Sequence, residues 1–166
     1  MPHRQRLTQV IGQLTALPWG TRLALIPLYQ RMIDCLSAHE TLQHLVIKLH
    51  IAAADWSRAE AAAGEMTRLA HCFSRQPHLL TEVCRQVAHK LRDSKGHWQP
   101  ETLLDVVDAL DNEGGSEALS IGLSVLAAAG EALAWNANCA NRLRAYRVHE
   151  NLTVRSLALD IWTAAE

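Results

Sequence analysis

Four of the five tryptophans, Trp19, Trp56, Trp98 and Trp135, stand 37, 42 and 37 residues apart, and each falls just ahead of a segment with helical periodicity. A period of about 34 to 47 residues is the mark of stacked helical hairpins, each burying its apolar face only against its neighbours. The spacing therefore predicts an α-solenoid with tryptophan wedges at the junctions. An irregular helical bundle, with the spacing accidental, is the alternative.

Between the tryptophans, apolar residues recur at three and four positions rather than two, and Ala, Leu, Glu, Gln and Arg dominate between the breakers, so the chain reads as all-α. The whole of residues 1–166 reads as one domain of about eight to nine helices in right-handed superhelical stacking. A capping helix over 1–17 carries Leu7, Val10, Ile11 and Leu14 on one face, and Pro18-Trp19-Gly20 ends it. Hairpins are predicted over 21–54, 57–93, 100–135 and 137–165. Ser37 with Glu40, and Ser57 with Glu60, have the spacing of a capping box, in which hydroxyl and carboxylate each satisfy an orphan amide at a helix start. Pro77 and Pro100 open two further helices. Gly122 and Gly130, beside Ala127 to Ala129, predict a close helix crossing, and Trp162 is expected in the core of the final helix.

A chain of 166 residues buries roughly 70% of its unfolded surface, enough for a core without staples. Cys35, Cys72, Cys84 and Cys139 form no CxxC pair. His3, Arg4 and Arg6 lead into Leu7-Thr-Gln-Val-Ile-Gly-Gln, too short and polar for the apolar region of a secretory signal. The expected compartment is a reducing cytoplasm. No window approaches 18 uninterrupted apolar residues, so no membrane span is expected.

The net charge of −1 conceals a division. Residues 1–98 hold twelve Lys and Arg against seven acids, residues 99–134 hold seven acids and no base, and residues 135–166 hold four bases against three acids. A basic field over the whole protein, as in generic nucleic-acid binding, is excluded. Glu101, Asp105 and Asp108 lie at i, i+4 and i+7, one acidic stripe opposite the apolar Leu103, Leu104, Val107 and Leu110. Such a stripe is ordinarily a solvated face; as a functional one it suits docking of a basic partner better than acid–base chemistry. The concentrated bases are Arg142, Arg144, Arg147 and Arg155, beside His149. Several phosphate contacts from such a group would grip nucleic acid, although Arg142 and Arg144, two apart, point to different faces.

Nine histidines and four cysteines raise the question of metal, and Cys35 with His39 has helical i, i+4 spacing. The paired-pair spacing of zinc sites is absent, so no metal and no cofactor are expected. GxSxG, P-loop and GxGxxG patterns are absent as well, so no catalytic residue is assigned and the chain is not expected to be an enzyme.

Leu143-Arg-Ala-Tyr146, His149, Asn151 and Val154-Arg-Ser-Leu-Ala-Leu-Asp-Ile-Trp162 resemble a HEAT repeat, whose second helix commonly begins with a Val-Arg pair followed by small and apolar residues. Leu25-Ile-Pro-Leu28 resembles the proline-bearing first helix of such repeats. The resemblance implies that Arg155 pairs inside the repeat, with Asp160 or an adjacent acid. Ala52-Ala-Ala-Asp-Trp-Ser-Arg-Ala-Glu60 is similar to the junction between tetratricopeptide repeats, although that family's later Gly, Tyr and Pro positions are unfilled. Both resemblances imply a solenoid that holds another macromolecule along one face.

The expected function is thus protein–protein interaction, as an adaptor or as a subunit of a larger assembly. Nucleic-acid binding through the C-terminal arginines is the first rival, and a small all-α enzyme with an acidic site the second. The last hairpin lacks a polar cap, so a further repeat or a second copy is expected to cover it.

Overall fold

The computed structural model describes residues 2–163. Among them the chain forms nine α-helices and no strand: α1 (Pro2–Thr15), α2 (Trp19–Leu36), α3 (Gln43–Ala53), α4 (Ala59–Phe73), α5 (Leu80–Asp93), α6 (Pro100–Glu113), α7 (Ser116–Ala132), α8 (Ala137–Arg147) and α9 (Leu152–Leu159). Short 3-10 turns at Glu40–Leu42 and Pro77–Leu79 lead into α3 and α5. The helices divide into two compact units, Met1–Asp55 and Trp56–Glu166.

In the first unit α2 packs along α3, and α1 packs on α3. Ile11, Tyr29, Ile33, Leu45, Val46, Leu49, Ala52 and Ala53 form the core, and each large side chain there contributes roughly 1.5–3 kcal/mol of burial. The Tyr29 hydroxyl donates to the Leu14 carbonyl at 2.7 Å, fastening α2 to the end of α1. Two sequence expectations are corrected here. Trp19 is the first residue of α2 and only Pro18 stands outside it, because proline's fixed φ suits the extended N-cap conformation. Ser37 closes α2 instead of opening the next helix, since its hydroxyl donates back to the Ile33 carbonyl at 2.6 Å.

In the second unit α7 is the central helix, touching α4, α5, α6, α8 and α9. From Ala118 to Gly130 every residue but Ser124 is buried, as expected of a helix that is apolar all round. In the same unit α4 also packs on α6, and α8 on α9. Gly114, at φ 81°, ends α6 in the left-handed conformation that glycine adopts without strain. α4 starts at Ala59 with Arg58 in the N-cap position, one residue later than the Ser57–Glu60 spacing predicts.

The spaced tryptophans lie at helix junctions. Trp56, in the link that precedes α4, is buried, while Trp98, ahead of α6, donates its indole N–H to the Leu91 carbonyl at 3.0 Å and seals the last turns of α5. Trp135 follows α7 and lies back over Gly130, where a Cβ would stand 2.7 Å from its ring. Gly122 sits close to α6 and α8, its missing Cβ 3.6 Å from the Leu110 Cβ and 3.7 Å from the Tyr146 hydroxyl. So Gly122 serves a helix crossing and Gly130 serves a loop. Trp162 departs from expectation, being 82% exposed, because α9 ends at Leu159 before the tryptophan is reached. The predicted helical positions 164 and 165 lie outside the described residues.

Candidate functional site

The register of α6 sends Leu103, Leu104, Val106, Val107 and Leu110 into the core and leaves Glu101, Asp105 and Asp108 exposed. The acidic stripe exists, but its third member is engaged. The Arg142 guanidinium on α8 grips the Asp108 carboxylate with both arms: Nη1 donates to Oδ1 and Nη2 to Oδ2, the latter at 3.2 Å. Arg142 Nε also donates to the Asn138 side chain at 2.9 Å. The Asp108 carboxylate pushes the Arg142 guanidinium pKa up. One member of the expected acidic zone and one of the expected basic zone thus form a single bidentate pair between two helices.

One turn along α6, Asp111 accepts a hydrogen bond from the Tyr146 hydroxyl. Burial pushes the Asp111 carboxyl above the usual carboxylate range, and the Tyr146 hydrogen bond opposes that rise. Burial, with the Asp111 carboxylate beside it, pushes the Tyr146 phenol up, so it remains a proton donor at neutral pH. Gly122 leaves room for this pair, since its missing Cβ would lie 3.7 Å from the Tyr146 hydroxyl and 3.9 Å from Asp111 Oδ1. The arrangement joins α6, α7 and α8 with a neutralised charge pair and a satisfied carboxylate, and it presents no activated nucleophile.

The other arginines also differ from a phosphate-gripping surface. Arg144 is exposed and donates to the Asn141 side chain at 2.7 Å. Arg147 caps the end of α9, donating from Nε to the Ala158 carbonyl at 3.3 Å and from Nη2 to the Ile161 carbonyl at 2.7 Å. The expected Arg155–Asp160 ion pair does not form among the described residues: Asp160 is the C-cap of α9, and Arg155 lies a turn earlier with its N–H bonded to Asn151.

Sequence reasoning missed three features. Asp111 was given no role, although its spacing of three from Asp108 places it on the same face. Tyr146 read only as part of a repeat motif. The third is apolar: Val148, Leu152, Leu159 and Trp162 are 79, 69, 59 and 82% exposed, all within the segment from the end of α8 to just beyond α9. In the first unit, Leu7, Arg31, Met32, Cys35 and Leu36 line an apolar groove of about 400 Å³ that contains none of the expected site residues.

Among the described residues no three His, Cys, Asp or Glu side chains gather as a metal site. No described helix is long and apolar enough to cross a membrane. Compared with protein-family models, with curated proteins and with solved structures, the chain finds no match.

Proposed function

We propose that this chain is a non-enzymatic protein-binding module of the helical-repeat type, an adaptor or a subunit of a larger assembly. The observation that carries the reading is the exposure of Val148, Leu152, Leu159 and Trp162 within one short segment of the chain, since large apolar side chains left in water favour contact with another protein. Tryptophan in particular is enriched at the energetic centres of interfaces. The HEAT-like assignment and right-handed stacking belong to the same proposal. The stacking is supported, within the second unit, by the packing of α4 on α6, α5 on α7 and α7 on α9, and by the paired helices α6 with α7 and α8 with α9. The partner is another protein, or a second copy seated on the last helix pair, in a reducing cytoplasm suited to the free thiols. Glu101 and Asp105 supply a second, acidic contact zone.

The nucleic-acid reading is weaker because Asp108 neutralises Arg142 and Arg147 serves backbone carbonyls. The test is affinity capture from a nuclease-treated cell extract with the wild type and a Leu152→Glu/Trp162→Glu double variant. Both substitutions lie at exposed positions and leave the core intact. The reading expects the captured proteins to be lost from the double variant and retained by Arg144→Glu. Equal recovery by the wild type and the double variant would overturn it.

A further inference from the structure

Arg22 is the most anomalous charge in the chain. It occupies the first-turn position of the apolar stripe that continues through Leu25, Tyr29, Met32, Ile33 and Leu36, and it is only 4% exposed. Its Nε and Nη1 are buried without a hydrogen-bond partner. Burial pulls the guanidinium pKa below its ordinary value, yet a guanidinium stays protonated at neutral pH. Tyr29, seven residues on along the same face, already donates its hydroxyl proton to Leu14. A buried charge with unsatisfied donors is normally retained only where an acceptor completes it.

The side chain points towards the start of its own helix. Helical Cα–Cβ bonds tilt to the N-terminus, and the guanidinium carbon lies 5.2 Å from the centre of the Trp19 ring, over the first residue of α2. Trp19 thus covers one guanidinium face and offsets part of the desolvation. The helix start itself is uncapped by any side chain, because Pro18 at the N-cap offers none that can accept, and the first turn holds no acidic residue. Gly20 is exposed, with no atom within 4 Å of the place a Cβ would take. The first-turn N–H groups and the positive end of the helix dipole favour an anion there.

We propose that the first turn of α2 is an oxyanion site, in which Arg22 and the N–H groups of Gly20 and Thr21 hold a carboxylate or phosphate group. The guanidinium supplies charge and a planar fork of donors, and the helix start supplies backbone donors. A carboxylate would come from a peptide side chain or terminus, a phosphate from a phosphorylated metabolite or free inorganic phosphate.

The experiment is a nitrogen-15 NMR titration of the full chain with inorganic phosphate and separately with acetate, against chloride at matched ionic strength. The proposal expects saturable shifts at the Gly20 and Thr21 amides and at the Arg22 Nε–Hε group with at least one oxyanion and not with chloride. Response to phosphate alone assigns a phosphate ligand, and response to acetate alone a carboxylate. Arg22→Met fills the same apolar stripe, so it folds at least as stably as the wild type and loses the response. Arg22→Lys keeps the charge without the fork and binds roughly ten-fold more weakly. Shifts that match those in chloride, or that persist unchanged in Arg22→Met, would overturn the proposal.

Discussion

Arg142 on α8 holds Asp108 on α6 through two parallel hydrogen bonds, tying together two helices whose charges look like separate zones in the sequence. The Asp108 side chain is 53% exposed and that of Arg142 24%, so solvent screens the attraction. A double-mutant cycle with Asp108→Asn and Arg142→Met should give a coupling of about 0.5–1 kcal/mol, read by urea unfolding and smaller at high salt. A coupling near zero at low salt would show that the pair contributes nothing.

Beside it, Tyr146→Phe leaves the half-buried Asp111 carboxylate without its phenolic donor, and should cost about 1–3 kcal/mol. The pH dependence has a defined sign. Because the folded-state pKa of Asp111 lies above its unfolded value, protonation favours folding: the stabilising contribution is full below the ordinary carboxylate pKa and is lost as pH rises through the raised one. Asp111→Asn removes that dependence, so its stability relative to the wild type should improve from pH 4 to pH 7. A flat difference would contradict the burial.

The α7–α8 turn makes two opposed predictions. Ala134 and Trp135 adopt φ of 49° and 51°, an unfavourable region for side-chain-bearing residues. Ala134→Gly should therefore stabilise the fold by about 0.5–1 kcal/mol. Gly130→Ala drives a methyl into the Trp135 ring and should destabilise it by about 1–3 kcal/mol, with a shift in indole fluorescence. Chemical denaturation of the two variants checks the signs.

Thiol chemistry distinguishes the cysteines. Cys35 and Cys72 are exposed, while Cys84 and Cys139 are buried, and burial pushes the Cys84 thiol up to about 11. Titration with a thiol-specific reagent should count two fast thiols in the native chain and all four after unfolding. Fast labelling of Cys84 in the native state would contradict its packing against α7.

Helix positions and their apolar faces were legible because they follow from local periodicity: α6 buries the same leucines and valine that its pattern nominated. What the pattern could not supply was pairing across helices. Asp108 and Arg142 are 34 residues apart, and their meeting depends on α7 bringing α6 and α8 together, a tertiary fact with no local signal. Ser37 shows the same limit at a helix end. Its hydroxyl can cap the following helix or bond back to the preceding turn, and the chain takes the second option. Trp162 looked like core from its neighbours' spacing, but Arg147 takes the Ala158 and Ile161 carbonyls around the end of α9, a contact the periodicity cannot show.

The docking claim is tested most directly by hydroxyl-radical footprinting of the chain free and in complex with whatever protein it captures. The account predicts strong protection of Leu152, Leu159 and Trp162 in the complex, with Arg144 modified as in the free chain. Unprotected Leu152, Leu159 and Trp162, with protection confined to the arginines of α8, would contradict it.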